Sequence, residues 1–305
     1  MVFLILTILV SSLVPTILKY ANQKGLNVDN VMLVNYGIAA AFSSALAFRS
    51  DLLPSFGFLG NCRLSCLFSE PTLANTCATV LIFGILSGFL YIACLYLSRY
   101  SVVENGMGIS SMSNRLSFIV PLAFSVIVWK EKLSPSSTAG VIMAVASVSV
   151  IVLESLGNRR VPRPMLLVGL LVFNGLVEIN NKIVIRYSIR PEYKDLFIFV
   201  IFTVAFTVCL VCTIFNNRRT NEKFRITPLE IVFGIGLGLP NMTNSYFLLK
   251  ALEALPTAAV YASIASGGVM MSSLIGRFLF QEKLTPYQKL AIVLTIISVL
   301  LANIS

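Results

Sequence analysis

Arg115 is the most informative candidate for a functional residue in this sequence, because it lies in the middle of a long apolar segment. A charge in hydrocarbon is costly, so such an arginine usually faces a water-filled cavity or a fixed partner. Ser111 lies four residues earlier, on the same face of a helix, and Asn114 is adjacent in sequence. A guanidinium beside hydroxyl and amide groups suits the carboxylate or phosphate of a small molecule. Two interpretations stay open: Arg115 contacts a substrate, or it forms a permanent ion pair with Glu178.

The segment around Glu178 holds a second set of ionisable and polar residues. Lys182 follows Glu178 by four positions, the better order for an ion pair within a helix, and Asn181 lies beside the lysine. The chain contains no histidine, which makes Glu178 the candidate proton-coupling group. The alternative is that Glu178 and Lys182 only neutralise each other and so make membrane insertion tolerable.

Three further residues complete the predicted substrate site. Ser266 precedes two glycines, which favour either close helix packing or room for a ligand opposite Arg115. Asn244 and Tyr261 lie in separate apolar segments and add hydrogen-bonding groups. The predicted substrate-binding residues are therefore Arg115, Asn114, Ser111, Ser266, Glu178, Asn181, Lys182, Asn244 and Tyr261.

Residues 234–238 read Gly-Ile-Gly-Leu-Gly and superficially resemble a phosphate-binding loop. That motif needs a preceding strand and a following lysine, and the sequence offers neither. Close packing between helices is the better prediction. Pro240, two residues further on, would interrupt the backbone hydrogen bonds of a helix, which a membrane protein tolerates only beside other protein or a cavity.

Composition indicates the elements that must position these residues. Of the 305 residues, 57% are hydrophobic and 12% are charged, whereas an ordinary soluble domain has about 25% charged residues. The apolar residues fall into about ten blocks, each long enough for a helix to cross roughly 30 Å of hydrocarbon. The alternating pattern of a membrane β-barrel is not seen. We therefore predict an all-α integral membrane protein with ten transmembrane helices.

Charge and cysteine content exclude several other classes of protein. The net charge is +10, but the basic residues are scattered through the predicted loops and form no stripe with interleaved aromatic residues. We therefore expect no nucleic-acid partner, and contact with anionic lipid headgroups is the simpler interpretation. Cys62, Cys66 and Cys77 share the one long loop, but three thiols without histidine or a fourth cysteine make a poor zinc site. No metal and no cofactor are predicted.

An internal repeat defines the organisation of the chain. Residues 129–135 read Trp-Lys-Glu-Lys-Leu-Ser-Pro, and residues 280–286 read Phe-Gln-Glu-Lys-Leu-Thr-Pro. Each segment lies between the last two predicted helices of its half, so we predict five-helix repeats over residues 1–157 and 158–305. An odd number of crossings per repeat places the second copy upside down in the membrane. Such inverted repeats are typical of secondary transporters, whose substrate site lies near the midplane between the halves.

The two junctions resemble those of the drug/metabolite transporter superfamily, specifically its ten-helix EamA-like branch. Pro121, the segments 248–252 and 255–258, and the five-helix halves along nearly the whole chain also carry the resemblance. The resemblance implies a secondary transporter that works by alternating access. It does not name the substrate, because members of the superfamily handle amino acids, drugs, nucleotide sugars, phosphosugars and other metabolites.

We therefore expect a transporter, and not an enzyme, that moves a small polar or anionic metabolite or a drug-like solute across a bacterial inner membrane. The expected partners are the lipid bilayer and the solute, and the chain is expected to be a monomer or a homodimer. The alternative is an integral-membrane enzyme acting on lipid or lipid-linked substrates. Such an enzyme would normally need clustered histidine, aspartate or glutamate side chains, and the predicted helices contain no close acidic pair.

Overall fold

The computed structural model describes residues 2–49, 73–105, 110, 113–114, 116–131, 134–156, 163–187, 193–220, 225–279 and 285–302. Within these residues every regular element is a helix, and none is a strand. The prediction of an all-α chain is confirmed for this part of the molecule.

Ten helices lie in the described ranges, one in each predicted apolar block. They are α1 (Val2–Gln23), α2 (Val28–Arg49), α3 (Leu73–Asn105), α4 (Ile119–Ile127), α5 (Pro135–Leu156), α6 (Pro164–Tyr187), α7 (Tyr193–Thr220), α8 (Pro228–Ala254), α9 (Thr257–Leu279) and α10 (Pro286–Ala302).

Five of these helices, α1, α2, α3, α6 and α7, contain segments that are long and apolar enough to cross a membrane. Two shorter apolar segments lie in α5 and α10. Large apolar side chains are also widely exposed, among them Ile127 at 74%, Phe215 at 74% and Phe278 at 80%. Water disfavours such a surface and lipid accepts it. These features indicate a membrane protein.

Proline after serine or threonine marks the start of three helices. Ser134, Thr227 and Thr285 precede the prolines that open α5, α8 and α10. Proline suits the first helical position because the N–H that it lacks would have no partner there. In α10 the side chains of Thr285 and Gln288 each accept the backbone N–H of the other residue at 3.1 Å. This reciprocal pair is a capping box, which fixes the first turn.

A capping box of the same kind opens α8, and its Glu230 also bonds residues at the start of α2. Its Oε2 atom accepts the Thr227 N–H at 2.8 Å and the Asn30 side-chain amide at 3.0 Å, and its Oε1 atom accepts the Asn27 N–H at 3.0 Å. Burial disfavours ionisation of this carboxyl group, but the hydrogen bonds outweigh it and hold the pKa of Glu230 below its ordinary value. Glu230 lies in the first turn of α8, outside the five candidate spans.

The apolar block at residues 106–129 was expected to be one long helix. Its described residues 110, 113–114 and 116 are helical, residues 117–118 form a turn, and the nine-residue α4 follows. Pro121 explains the interruption at this turn. Proline has no N–H to donate to the carbonyl four residues earlier, which belongs to Ser117. The Val120 N–H bonds that carbonyl instead, at 3.0 Å, and closes a tighter turn.

The chain divides into two compact units. Unit 1 comprises Met1–Ser12, Ala93–Ile179 and Lys250–Ser305, and unit 2 comprises Leu13–Ile92 and Asn180–Leu249. In unit 1, α5 packs against α10, and α9 packs against α4, α5 and α10; in unit 2, α2 packs against α7. This division groups residues by packing and does not test the repeat boundary at residue 157, which stays a prediction.

Close packing of α8 on α2 explains the glycines of residues 234–238. A Cβ atom at Gly234 would lie 2.4 Å from the Cβ of Val34, and one at Gly238 would lie 2.7 Å from the carbonyl oxygen of Asn35. The two helices therefore approach so closely that only glycine fits at these positions. The prediction of helix packing is confirmed for Gly234 and Gly238. Gly236 differs, because no described atom lies within 4 Å of the position of a Cβ.

These two environments lead to opposite expected effects of the same substitution within one helix. Gly238→Ala forces the new methyl group against backbone and should destabilise the protein by about 1–3 kcal/mol. Gly236→Ala meets open space and should stabilise by up to about 1 kcal/mol through helix propensity. Thermal unfolding of both variants in the same detergent measures the difference. Equal unfolding temperatures would contradict the close approach of α8 to α2.

Candidate functional site

The predicted site residues fall into three groups. Arg115 and Ser111 lie outside the described residues. Unit 1 contains four of the others, namely Asn114, Glu178, Tyr261 and Ser266, and unit 2 contains Asn181, Lys182 and Asn244.

Asn114 is held by a second asparagine in unit 1. The side-chain amide of Asn174, on α6, donates to Asn114 Oδ1 at 3.0 Å and to the Leu170 carbonyl at 2.8 Å. Beside this pair, a Cβ atom at Gly175 would lie 2.4 Å from the Cβ of Val120, so α6 and α4 are in close contact. These contacts fix the position of Asn114, which precedes Arg115 in the sequence. The polar type of Asn174 within an apolar segment was the only sequence signal for this partner.

Tyr261 and Glu178 are brought together through the backbone. The Tyr261 hydroxyl, on α9, donates to the Glu178 carbonyl, on α6, at 2.8 Å. Tyr261 is 3% exposed, whereas Glu178 is half-buried. This bond ties two of the predicted site residues to each other and fixes the position of α6 against α9.

Ser266 belongs to a buried hydroxyl network of unit 1. Its hydroxyl donates to the Ala262 carbonyl at 2.8 Å, and its own carbonyl accepts the Thr295 hydroxyl at 3.2 Å. Thr295 Oγ1 also lies 2.9 Å from Ser147 Oγ, which donates to the Ala291 carbonyl at 2.9 Å. The network joins α5, α9 and α10. The Ser266 hydroxyl therefore has a partner within its own helix.

The first repeat junction contacts the start of α9. Thr257 is fully buried, and its hydroxyl donates to Glu131 Oε1 at 3.0 Å. Lys130 has a positive φ of 51°, and the Glu131 N–H bonds the Ser125 carbonyl at 3.2 Å. Lys130 lies two residues beyond Val128, the C-cap of α4, so this bond folds the junction back onto the end of the helix. Two segments that carry the family resemblance, residues 131–135 and 255–258, are thus in direct contact.

Unit 2 contains a belt of uncharged polar side chains between apolar helices. Asn241, on α8, donates to Asn35 Oδ1, on α2, at 3.2 Å. One turn further along α8, Ser245 Oγ lies 3.5 Å from the hydroxyl of Tyr91 on α3 and donates to the Asn241 carbonyl at 3.2 Å. We call Asn35, Tyr91, Asn241 and Ser245 the amide–hydroxyl belt. All four are buried or half-buried.

A second polar contact of unit 2 joins α3 to α6. Asn180 is 4% exposed, and its side-chain amide donates to Ser87 Oγ at 3.2 Å. The predicted residues Asn181 and Lys182 follow directly on α6, the first buried and the second half-buried. The sequence predicted these two neighbours as site residues and did not indicate Asn180. The run of two asparagines and a lysine within an apolar helix was the available signal.

The four side chains of the belt are amides and hydroxyls, which suit hydrogen bonding to a ligand. Amide and hydroxyl groups can hold a solute by several directed hydrogen bonds. Within the described ranges, no group of three or more histidine, cysteine, aspartate or glutamate side chains is placed to hold a metal ion.

Comparison with known proteins indicates the fold. No family model matches the chain. An uncharacterized protein of Haemophilus influenzae is 23% identical over 299 residues, which cover 96% of this chain and 94% of that protein. A protein of solved crystal structure superposes with a TM-score of 0.71 at 14% sequence identity, and the match covers 99% of this chain and 95% of that one. The chain therefore has the same fold as that protein along almost its whole length.

Proposed function

We propose that this protein is a secondary transporter that moves a small polar or anionic metabolite, or a drug-like solute, by alternating access. The observation that carries the proposal is the amide–hydroxyl belt, whose four side chains lie on the apolar helices α2, α3 and α8. Polar groups within membrane helices are costly and usually serve a solute pathway or specific helix contacts. A solute that must leave water needs such groups as replacements for its hydration.

The proposed architecture is ten membrane crossings in two inverted halves of five, as in the EamA-like branch of the drug/metabolite transporters. One helix in each of the ten apolar blocks supports it. The contact between Glu131 and Thr257 also supports it, because it joins two of the segments on which the resemblance depends. We propose the bacterial inner membrane as the location.

The test begins with a ligand screen of the purified protein. Pools of metabolites are scored for a rise in unfolding temperature, because a ligand that binds only the folded state stabilises it. Each stabilising solute is then offered in labelled form to proteoliposomes, with protein-free liposomes as the control. We expect uptake of at least one such solute. Absence of uptake, combined with chemical change of lipid in the same vesicles, would favour the membrane enzyme instead.

Glu178 is the proposed proton-coupling group, and its substitution gives a separate prediction. Glu178→Gln keeps the side-chain volume and removes the ionisable proton, so the pH dependence of uptake should become flat. The Tyr261 hydroxyl bonds the Glu178 carbonyl, which the substitution retains. The uptake rate of the solute identified above is measured from acid to alkaline pH in both proteins. A profile identical to that of the unchanged protein would reject the role of Glu178.

A further inference from the structure

One flank of α8 carries a buried side-chain oxygen that the described helix contacts of unit 2 leave without a partner. Gly236, Pro240 and Asn244 are spaced by four residues and so form one slanting stripe on the helix. All three are half-buried. The neighbouring glycines Gly234 and Gly238 face α2 instead. We call residues 236, 240 and 244 the α8 stripe.

Asn244 supplies the most direct sign of a ligand. Its Oδ1 atom is buried, and no described residue lies within hydrogen-bond distance of it. Three neighbouring polar side chains of α8 are engaged, Asn241 with Asn35, Thr243 with the Leu239 carbonyl and Ser245 with Tyr91. Buried polar atoms without a partner are rare, and each one calls for an explanation. A bound solute that donates a hydrogen bond would provide the missing partner.

The backbone of the stripe adds a second acceptor. Pro240 lies inside α8 and has no N–H to donate to the Gly236 carbonyl four residues earlier. Apart from the adjacent residues and the backbone of α8 itself, no described atom lies within 4 Å of the position that a Cβ of Gly236 would take, so space is open beside this residue. Helix carbonyls point towards the C-terminus, while side chains tilt towards the N-terminus. The Gly236 carbonyl and the Asn244 side chain therefore converge on the level of Pro240.

We propose that the α8 stripe binds the hydrogen-bond-donating group of a small solute, an ammonium, an amide N–H or a hydroxyl, through the Gly236 carbonyl and Asn244 Oδ1. The inference rests on the proposed transport function and narrows its substrate class. Two oxygen acceptors match a donor group, and they repel an anion that only accepts hydrogen bonds. A carboxylate or phosphate on the same solute has to bind elsewhere.

Cysteine substitution tests whether the stripe is open to small polar solutes. Gly236→Cys and Asn244→Cys are reconstituted in lipid and treated with 2-aminoethyl methanethiosulfonate, and modification at each position is measured by mass spectrometry. Both thiols should be modified at rates at least about tenfold above those of two controls on the same helix, because thiolates form poorly without water. The controls are Leu237→Cys, whose parent side chain is fully buried, and Leu239→Cys, whose parent is 37% exposed. Stripe positions that react no faster than the controls would overturn the proposal.

Protection tests the chemical class of the ligand. The Gly236→Cys protein, which retains Asn244, is modified in the presence of methylammonium, acetamide, ethylene glycol or acetate. Methylammonium, acetamide and ethylene glycol carry donors and should slow the reaction, whereas acetate should not. Adding Asn244→Leu should reduce that protection about fivefold, the effect of losing one hydrogen bond. Equal protection by acetate, or no protection by any probe, would overturn the assignment.

Modification does not require net transport, so the two proposals can fail separately. If the stripe positions react and are protected by donors, but the protein shows no uptake, only the proposal of transport is rejected. If the protein shows uptake but the stripe positions do not react with the thiol reagent, only the proposal of ligand binding at the stripe is rejected.

Discussion

Glu230→Ala is expected to cost about 3–5 kcal/mol of stability, the largest loss from any single substitution considered. The change leaves the Asn27 N–H and the Thr227 N–H without their acceptor and leaves the Asn30 amide with the Arg225 carbonyl alone, at a side chain that is 5% exposed. Gln288→Ala is the matched control, because Gln288 caps α10 through its own turn. Its cost should be about 1 kcal/mol. Unfolding in detergent measures both, and equal losses would contradict the linking role of Glu230.

The ionisation of Glu230 adds a dependence on pH with a defined sign. Because folding lowers the pKa of Glu230, its contribution is fully present above the unfolded-state pKa of about 4.3. The contribution is lost as pH falls through the lower, folded-state pKa. Stability of the unchanged protein should therefore decline more steeply with acid than that of Glu230→Gln. Parallel acid profiles of the two proteins would show that this carboxylate adds nothing.

Arg115→Ala is expected to abolish transport while the amount of protein in the membrane stays near normal. The prediction depends on the sequence, since a guanidinium within an apolar segment is costly unless it serves a polar pathway. Arg115→Lys should restore little, because lysine lacks the planar fork that binds carboxylate or phosphate by two hydrogen bonds. Uptake per unit of protein is the measurement.

Arg277 provides the matched control for Arg115. It lies in the last turn of α9 and is exposed, where a long cationic side chain reaches the membrane interface. Arg277→Ala should retain most of the uptake. Undiminished flux in Arg115→Ala would remove Arg115 from the substrate site, and a loss of membrane abundance would favour the structural ion pair.

Local features of this fold could be predicted because their causes are local. Apolar blocks of about twenty residues predict helices, and one helix lies in each block. A hydroxyl residue before proline predicts a helix start, as at Ser134, Thr227 and Thr285. Gly234 and Gly238, four apart in an apolar segment, predict close helix packing, which the structure places on α2.

The partners of the polar residues could not be predicted, because they depend on which helices become neighbours. Asn174 bonds Asn114 across 60 positions, and Asn180 bonds Ser87 across 93. Nothing in the residue types selects these pairs from many equivalent polar groups. Adjacent residues on a helix point about 100° apart. The sequence therefore could not show which of Asn180, Asn181 and Lys182 faces α3.

The side-chain oxygen of Asn244 is a second feature that the sequence does not predict. The sequence marks it as polar in an apolar segment, as it does Asn241. Only the structure distinguishes them, because Asn241 bonds Asn35 while Asn244 Oδ1 has no described partner. Contacts made by folding decide which polar groups remain available to a solute.

Counterflow tests most directly whether this protein is an alternating-access carrier. Proteoliposomes are loaded with a high concentration of the stabilising solute, unlabelled, and are diluted into a trace of the same solute in labelled form. A carrier exchanges inner for outer solute on one site, so the label should rise transiently above its equilibrium level inside the vesicles and then fall. A monotonic approach to equilibrium, as through a channel, or no entry above that of protein-free liposomes, would contradict the account.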